Sequence, residues 1–281
     1  MGTYAVTGSA SGMGRAVTEK LTAAGHTVIG VDLADATVTG DLSTPDGRRD
    51  AAAAVLAHCD GVLDGAVMAA GLGPASGNPR LISQVNYLGV VELLEAWRPA
   101  LAQADRAKVV VFSSNSSSTV PMVLRRTLNA YRDGDLDKVV SSLRLYGKQA
   151  PTFAYASSKI AISRWVRRTA VTRAWSGEGI RLNAIAPGAI MTPLLEKQLA
   201  TPAEAKQIKR FPVPIGGFGD AGQIADWVVF MLSDAADFLC GSVVFVDGGS
   251  DAWFRAEDWP GPVPARRLRR YVHRSKAFRH R

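Results

Sequence analysis

The chain opens on TYAVTGSASGMGRAV, a β-branched run that passes through three glycines (Gly8, Gly12, Gly14) directly into a helical pattern. A strand that runs straight into a helix cannot return as a hairpin, so the next strand has to cross over and pair in parallel. The same alternation recurs. Apolar strand-like runs stand at TVIGVD, VLDGAVMAA, KVVVF, IRLNAIAP and SVVFVDGG, with helical patterns between them. This order predicts an α/β, Rossmann-type doubly wound fold, with a mainly parallel sheet covered by helices on both faces. One helix is expected from about Leu81 to Leu101, with Leu81, Val85, Leu88, Val91 and Leu94 on one apolar face. Another is expected to run from Phe153 to Trp175.

The chain has 281 residues, 47% of them hydrophobic and 21% charged, which is ample for one large core. No repeat and no Pro- or Ser-rich linker divides residues 1–254, which read as a single domain. The net charge of +8 is unevenly spread. Nine of the 33 Lys and Arg lie in residues 255–281, against only two acids there. The basic character therefore describes a C-terminal tail rather than the body. That tail reads as a solvated or partner-docked extension, with contact to nucleic acid or another anionic surface as the weaker alternative. Cys59 and Cys240 form no disulfide framework and fit a reducing compartment. The first strand begins by residue 3, leaving no room for a signal peptide, and no apolar run reaches the ~20 residues of a membrane span. A cytoplasmic protein without a metal site is expected.

The turn Thr7–Gly14 lies where backbone can approach a pyrophosphate and a helix start favours negative charge. Its spacing is G-x-x-x-G-x-G. Asp32 ends the second strand, where a carboxylate can accept from the ribose hydroxyls of NAD and would repel the 2′-phosphate of NADP. Asp41 and Leu42 in GDLS are candidates for the adenine edge, and Gly71 in MAAGLG for close passage by the ribose. Further along, TFAYASSK places Tyr155 and Lys159 at i, i+4 spacing on one helix face, a phenol beside an ammonium.

Together with Asn86 in QVNYLG, a serine after VVVF, and PGAIMT, these motifs make the chain resemble the classical short-chain dehydrogenase/reductase family over nearly all of residues 3–250. Within that family, DLSTPDGRR, AAGLGP, RLNAIAPGA and DGGSDA resemble the bacterial 3α-hydroxysteroid dehydrogenase/carbonyl reductase branch. One departure stands out: Met68-Ala69-Ala70-Gly71 replaces the family's Asn-Asn-Ala-Gly. The resemblance implies a seven-stranded sheet and NAD as cofactor. It implies cofactor contacts from Gly8, Ser11, Gly12, Met13, Gly14, Asp32, Leu33, Asp41, Leu42, Ala70, Gly71, Tyr155, Lys159, Pro187, Gly188, Ile190 and Thr192. Tyr155 would exchange the alcohol proton, Ser114 would hold the substrate oxygen, and Asn86 would position a water next to Lys159. Lys159 would also bind the nicotinamide ribose and, together with a cationic nicotinamide, stabilise the phenolate; lowering the Tyr155 pKa by ~2–3 units needs about 3–4 kcal/mol of differential stabilisation. The reaction implied is interconversion of a secondary alcohol and a ketone, on a 3α-hydroxysteroid or another apolar carbonyl compound. A terpenoid or aromatic alcohol is the alternative, and a non-catalytic NAD-binding regulator the rival from another class.

Two serines compete for the substrate oxygen. Ser142 has the family's usual spacing to Tyr155. Ser114, however, ends the apolar KVVVF run, where parallel sheets place their sites. Around Ser142, Leu136, Val139, Val140 and Leu143 follow a helical period, and PMVLRRTLNAY before it also reads as a helix. Residues 117–150 are therefore expected to form an inserted helical pair that contains Ser142. Residues 190–217 carry a discontinuous apolar face, including Met191, Leu194 and Leu195, and are expected to form a substrate lid. Since the resemblance implies subunit contacts through the Asn86 and Tyr155 helices, the insertion is expected to cover that face. A homodimer through the last helix and strand is then favoured over a tetramer.

Overall fold

The computed structural model describes residues 1–259 and 264–277; the side chains of some positions between 194 and 207, and of Ser275, lie outside the described set. Its strands are β1 (Thr3–Thr7), β2 (Thr27–Asp32), β3 (Val38–Thr39), β4 (Gly65–Met68), β5 (Lys108–Phe112), β6 (Arg181–Pro187), β7 (Ile190–Met191), β8 (Gly219–Asp220) and β9 (Val243–Val246). Seven of them form one sheet in the order β3-β2-β1-β4-β5-β6-β9. All six neighbouring pairs are parallel. The seventh strand, which the apolar runs did not name, is the two-residue edge strand β3. Strands β7 and β8 pair separately. The chain order reverses between β1 and β4, so the crevice expected of such sheets opens at their C-terminal ends.

The helices are α1 (Gly12–Ala23), α2 (Pro45–His58), α3 (Pro79–Ser83), α4 (Gly89–Leu101), α5 (Ser116–Thr119), α6 (Arg125–Arg132), α7 (Leu136–Leu143), α8 (Ala150–Thr169), α9 (Pro193–Leu199), α10 (Pro202–Arg210), α11 (Ala221–Leu232), α12 (Ser250–Arg255) and α13 (Leu268–Ala277). Strand residues alternate between the two faces as a period of two requires. Ala5, Ala66, Val109, Val111, Leu182 and Ala184 join the core beneath α2, α4 and α8. Val6, Val67, Val110, Phe112 and Ile185 join Val17 and Leu21 of α1 and Ile224 and Val228 of α11. The sheet thus separates two apolar layers, each sealed by its own helices.

Two expected helices differ in detail. The segment from Leu81 to Leu101 is not one regular helix, because α3 and α4 are joined by a π turn over Gln84–Leu88. The buried face carries Ile82, Tyr87, Val90, Leu93, Leu94 and Trp97, whereas Leu81 and Val85 face the nucleotide crevice. The apolar stripe read from the sequence therefore belongs partly to the crevice wall. The helix expected to reach Trp175 stops at Thr169. Trp175 lies in the turns beyond it, buried edge-on against Trp165 at 5.7 Å between ring centroids.

Between β5 and α8, helices α6 and α7 pack on each other and on α3 and α8. Thr127 and Ser142, both buried, bridge them through a 2.6 Å hydroxyl–hydroxyl hydrogen bond. The two ends of the segment are held together by Tyr146. Its hydroxyl donates to the Met122 carbonyl at 2.8 Å, and its ring stacks on Phe153 at the start of α8, with centroids 3.6 Å apart.

Candidate active site

The glycine turn builds the first half of the site. Gly8 sits at φ +71°, where glycine is favoured, and a Cβ there would press on the Ala70 backbone nitrogen at 2.8 Å. A Cβ on Gly14 would collide with the Gly8 carbonyl oxygen, so glycine is what lets α1 approach β1 this closely. The Ser11 side chain leaves the helix start uncapped, and no acid stands in its first turn. The N–H groups and positive dipole end of α1 are therefore available to an anion.

This turn lines a cleft of ≈ 470 Å³, together with Asp32, Leu33, Asp41, Leu42, Ala70, Gly71 and Thr192. Asp32 accepts the Ala10 N–H at 2.9 Å through one oxygen and the Leu33 N–H at 2.7 Å through the other. No Lys or Arg lines the cleft among the described residues. Arg48, the basic residue that follows Leu42 on α2, is turned into the core, where it pairs with Glu92 at 2.6 Å and donates to the Leu42 carbonyl at 3.1 Å. A dinucleotide with a free ribose 2′-hydroxyl fits this wall; a 2′-phosphate would meet a carboxylate and no cation.

The second half lies at the C-terminal end of β5. Ser114 follows the strand, 8% exposed, with its hydroxyl accepting the Ser116 N–H at 3.2 Å. Its hydroxyl neighbours the Tyr155 phenol and favours the ionised form. Lys159 is buried and donates to the Phe112 carbonyl at 2.7 Å, while its ammonium lies 5.8 Å from the centre of the Tyr155 ring. Loss of hydration lowers the Lys159 pKa to about 8. In the protein alone, without the cationic nicotinamide that the expectation includes, the Tyr155 pKa is not lowered. Burial pushes the half-buried phenol above 10.0, and the Ser114 hydroxyl only opposes that shift. The reason is geometric: Lys159 spends its close contact on a carbonyl rather than on the phenol.

Asn86 sits inside the π turn with its side chain fully buried. Its amide oxygen accepts the Leu72 N–H at 2.8 Å, and its amide nitrogen donates to the Leu72 carbonyl at 2.9 Å and to Ser158 at 3.4 Å. Gly71 packs against this group: a Cβ there would lie 3.2 Å from the Asn86 amide oxygen and 3.7 Å from the Lys159 ammonium. Asn86, Gly71, Lys159, Tyr155 and Ser114 thus converge from four segments. Ser142 is excluded from that cluster by its bond to Thr127.

The chain is 38% identical to the 3-alpha-hydroxysteroid dehydrogenase/carbonyl reductase of Comamonas testosteroni over 255 residues, covering 91% of this chain and 98% of that one. This chain belongs to the short-chain dehydrogenase/reductase family. A family model described as Enoyl-(Acyl carrier protein) reductase matches residues 138–251 of this short-chain dehydrogenase/reductase. A coniferyl-alcohol dehydrogenase from a Pseudomonas species is 32% identical, with 87% of this chain and 94% of that one aligned. Among solved structures, the 3-alpha-hydroxysteroid dehydrogenase of a Pseudomonas species, complexed with NADH, superposes with a TM-score of 0.85 at 41% identity, covering 91% of this chain and 99% of that one. As a family member, the chain is an oxidoreductase.

The remaining sequence candidates are less central. Pro187 and Gly188 end β6, where the Pro187 carbonyl accepts the Asn115 N–H at 2.9 Å and the Gly188 N–H donates to Val246 at 3.0 Å. The Ile190 side chain is buried in the second core and packs toward Gly219 rather than lining the cleft. Met191 is half-buried and Leu195 buried, while the side chain of Leu194 lies outside the described residues. Several contributors went unread. Leu81, Val85, Gly40, Ser43, Ala69 and Leu72 also line the cleft. Thr7, at the end of β1, accepts the Ala70 N–H at 3.1 Å and fixes the loop that the family's second asparagine would begin. Ser158 supports Asn86; its place one residue before Lys159 was the only signal available.

Proposed function

We propose that this chain is an NAD-dependent dehydrogenase that interconverts a secondary alcohol and a ketone on an apolar substrate, in the first instance a 3α-hydroxysteroid. The observation that carries the reading is the meeting of Ser114, Tyr155 and Lys159 at the end of β5, beside a cleft that offers a carboxylate and no cation. The Gly8–Gly14 turn and the start of α1 would hold the pyrophosphate, Asp32 a ribose, and Lys159 the second ribose. NAD, when bound, supplies the hydride acceptor for the alcohol carbon.

The chain's own residues then manage the oxygen and its proton. Ser114 donates to the substrate oxygen and fixes its distance from the phenol. Tyr155 takes the hydroxyl proton during oxidation and returns it during reduction. Raised by burial, it is a poor base in the empty site; positive charge near it is what makes it competent. Lys159 supplies part of that charge, and the π turn holds Asn86 beside it. Residues 190–217 are proposed as the substrate cover. Their end is tied down by the Ser250 hydroxyl, which donates to the Pro212 carbonyl at 2.7 Å, and by Phe211 against Phe254.

A related reading, a dehydrogenase of aromatic alcohols, draws support from the 32% identity to a coniferyl-alcohol dehydrogenase. No helix among the described residues is long and apolar enough to cross a membrane. The test is turnover of NAD and NADP against steroid, terpenoid and aromatic alcohols, read as reduced-nicotinamide absorbance in wild type and Tyr155→Phe. Steroid oxidation with NAD, lost by about 10²-fold or more in the variant, is expected. Near-normal turnover in Tyr155→Phe, or preference for NADP, would refute the reading.

A further inference from the structure

A concavity larger than the nucleotide cleft lies elsewhere on the chain. It is a pocket of ≈ 820 Å³ between α6, α8 and the C-terminal tail, and it shares no residue with the cleft. Seven arginines line it: Arg125 from α6, Arg164, Arg167 and Arg168 from the end of α8, and Arg267, Arg270 and Arg274 from the tail. None of the seven is paired with a carboxylate among the described residues. The contrast with Arg15, Arg48, Arg80, Arg106 and Arg255, each set against an acid, is direct.

Gathering like charges in one concavity opposes folding unless a counter-charge arrives. The strain is visible at Arg164, whose pKa is held down by partial burial and by Arg168, Arg267 and Arg125. Guanidinium forks match phosphate oxygens in pairs. The last turn of α8 presents carbonyls, so the helix dipole repels an anion there and the arginines alone must supply the attraction. The shape selects among anions: the volume falls in the range of small-molecule pockets, about 300–1,000 Å³. Tyr271 and Asn129 complete the wall with a ring and an amide.

We propose that the α6–α8–α13 pocket binds a small, multiply phosphorylated anion. The test uses the full chain and three probes at fixed ionic strength: inorganic phosphate, pyrophosphate and tripolyphosphate. Calorimetric affinity and melting midpoint are read for each. Affinity is expected to rise with the number of phosphates. The double variant Arg164→Gln/Arg267→Gln should lose about tenfold or more, while Arg266→Gln/Arg269→Gln, which removes equal charge outside the pocket, keeps wild-type affinity. Without anion, the first double variant should melt no lower than wild type, because repulsion has been removed; this separates a lost site from a misfolded chain. Equal weakening in both double variants, no saturable binding of tripolyphosphate, or its displacement by NAD would overturn the proposal. So would tighter binding per phosphate by duplex DNA or by phosphatidylserine vesicles.

Discussion

Replacing Lys159 by methionine should make the protein's stability lose a specific dependence on pH. In the native chain the ammonium is buried, and its pKa falls from 10.5 to about 8. The gap of about 2.5 units corresponds to roughly 3 kcal/mol. Below about pH 8 the lysine is charged in both native and unfolded chains, so the penalty is present in full and does not vary. Between about pH 8 and 10.5 the native chain has released the proton and the unfolded chain still holds it. Wild-type stability therefore rises with pH, relative to Lys159→Met, by up to ~1.4 kcal/mol per unit. From pH 7 to 9.5 the difference between the two proteins should change by about 2 kcal/mol in favour of wild type. Loss of the bond to the Phe112 carbonyl adds a cost of about 1–3 kcal/mol to the variant, but that cost is the same at every pH. The Tyr155 phenol, raised above 10.0, contributes in the opposite direction only at higher pH and is common to both proteins. Urea unfolding in the absence of NAD, followed by emission of the buried Trp97, Trp165 and Trp175, measures the difference. Parallel pH profiles for the two proteins would refute the argument that Lys159 is a desolvated cation.

Other substitutions separate position from packing. Ser114→Ala should lower turnover by about 10²-fold with little change in stability, whereas Ser142→Ala should leave turnover intact and cost about 1–3 kcal/mol through the stranded Thr127 hydroxyl; the reverse pattern would exchange the two serines. Asp32→Ala should raise the ratio of kcat/KM for NADP over NAD by about tenfold or more, since a carboxylate facing the 2′-phosphate is removed; an unchanged ratio would disconnect Asp32 from the ribose. Gly14→Ala should abolish NAD binding and lower the melting midpoint, because its methyl has only backbone to displace; a normal midpoint would refute the close approach of α1 to β1. Light scattering should give a homodimer, formed through the exposed Trp227 and Phe230 of α11 and the edge strand β9; a tetramer would refute that assembly.

The parts of this fold that could be read from sequence are those with one dominant cause. Five-residue apolar runs such as KVVVF have to be buried on both faces, and they are. Val38–Thr39 carries no such signal, because a two-residue edge strand is defined by its backbone pairing to Val31 and Asp32. The π turn was equally hidden. One extra residue in a helical turn does not disturb an apolar pattern enough to notice, and Leu81 and Val85 line the crevice although their spacing matches a core face. At the site, residue identities came from motifs, but the acid–base balance did not. Spacing places Lys159 near Tyr155 and says nothing about the Phe112 carbonyl that claims the ammonium first. The arginine pocket was legible only as a basic tail; that it meets four arginines of α6 and α8 is a property of the folded chain.

The Tyr146 clasp closes the segment between β5 and α8 into a loop of its own. Its two ends are pinned to each other before they reach Ser114 and Tyr155, so what lies between them can change in length without levering the reacting side chains apart. For protein engineering this makes the exposed turn at Asp133 and Gly134, between α6 and α7, a grafting point. A longer turn or a reporter could be inserted there, provided that Tyr146, the Met122 carbonyl, Phe153 and the core residues Leu128, Tyr131, Val139 and Leu143 are kept.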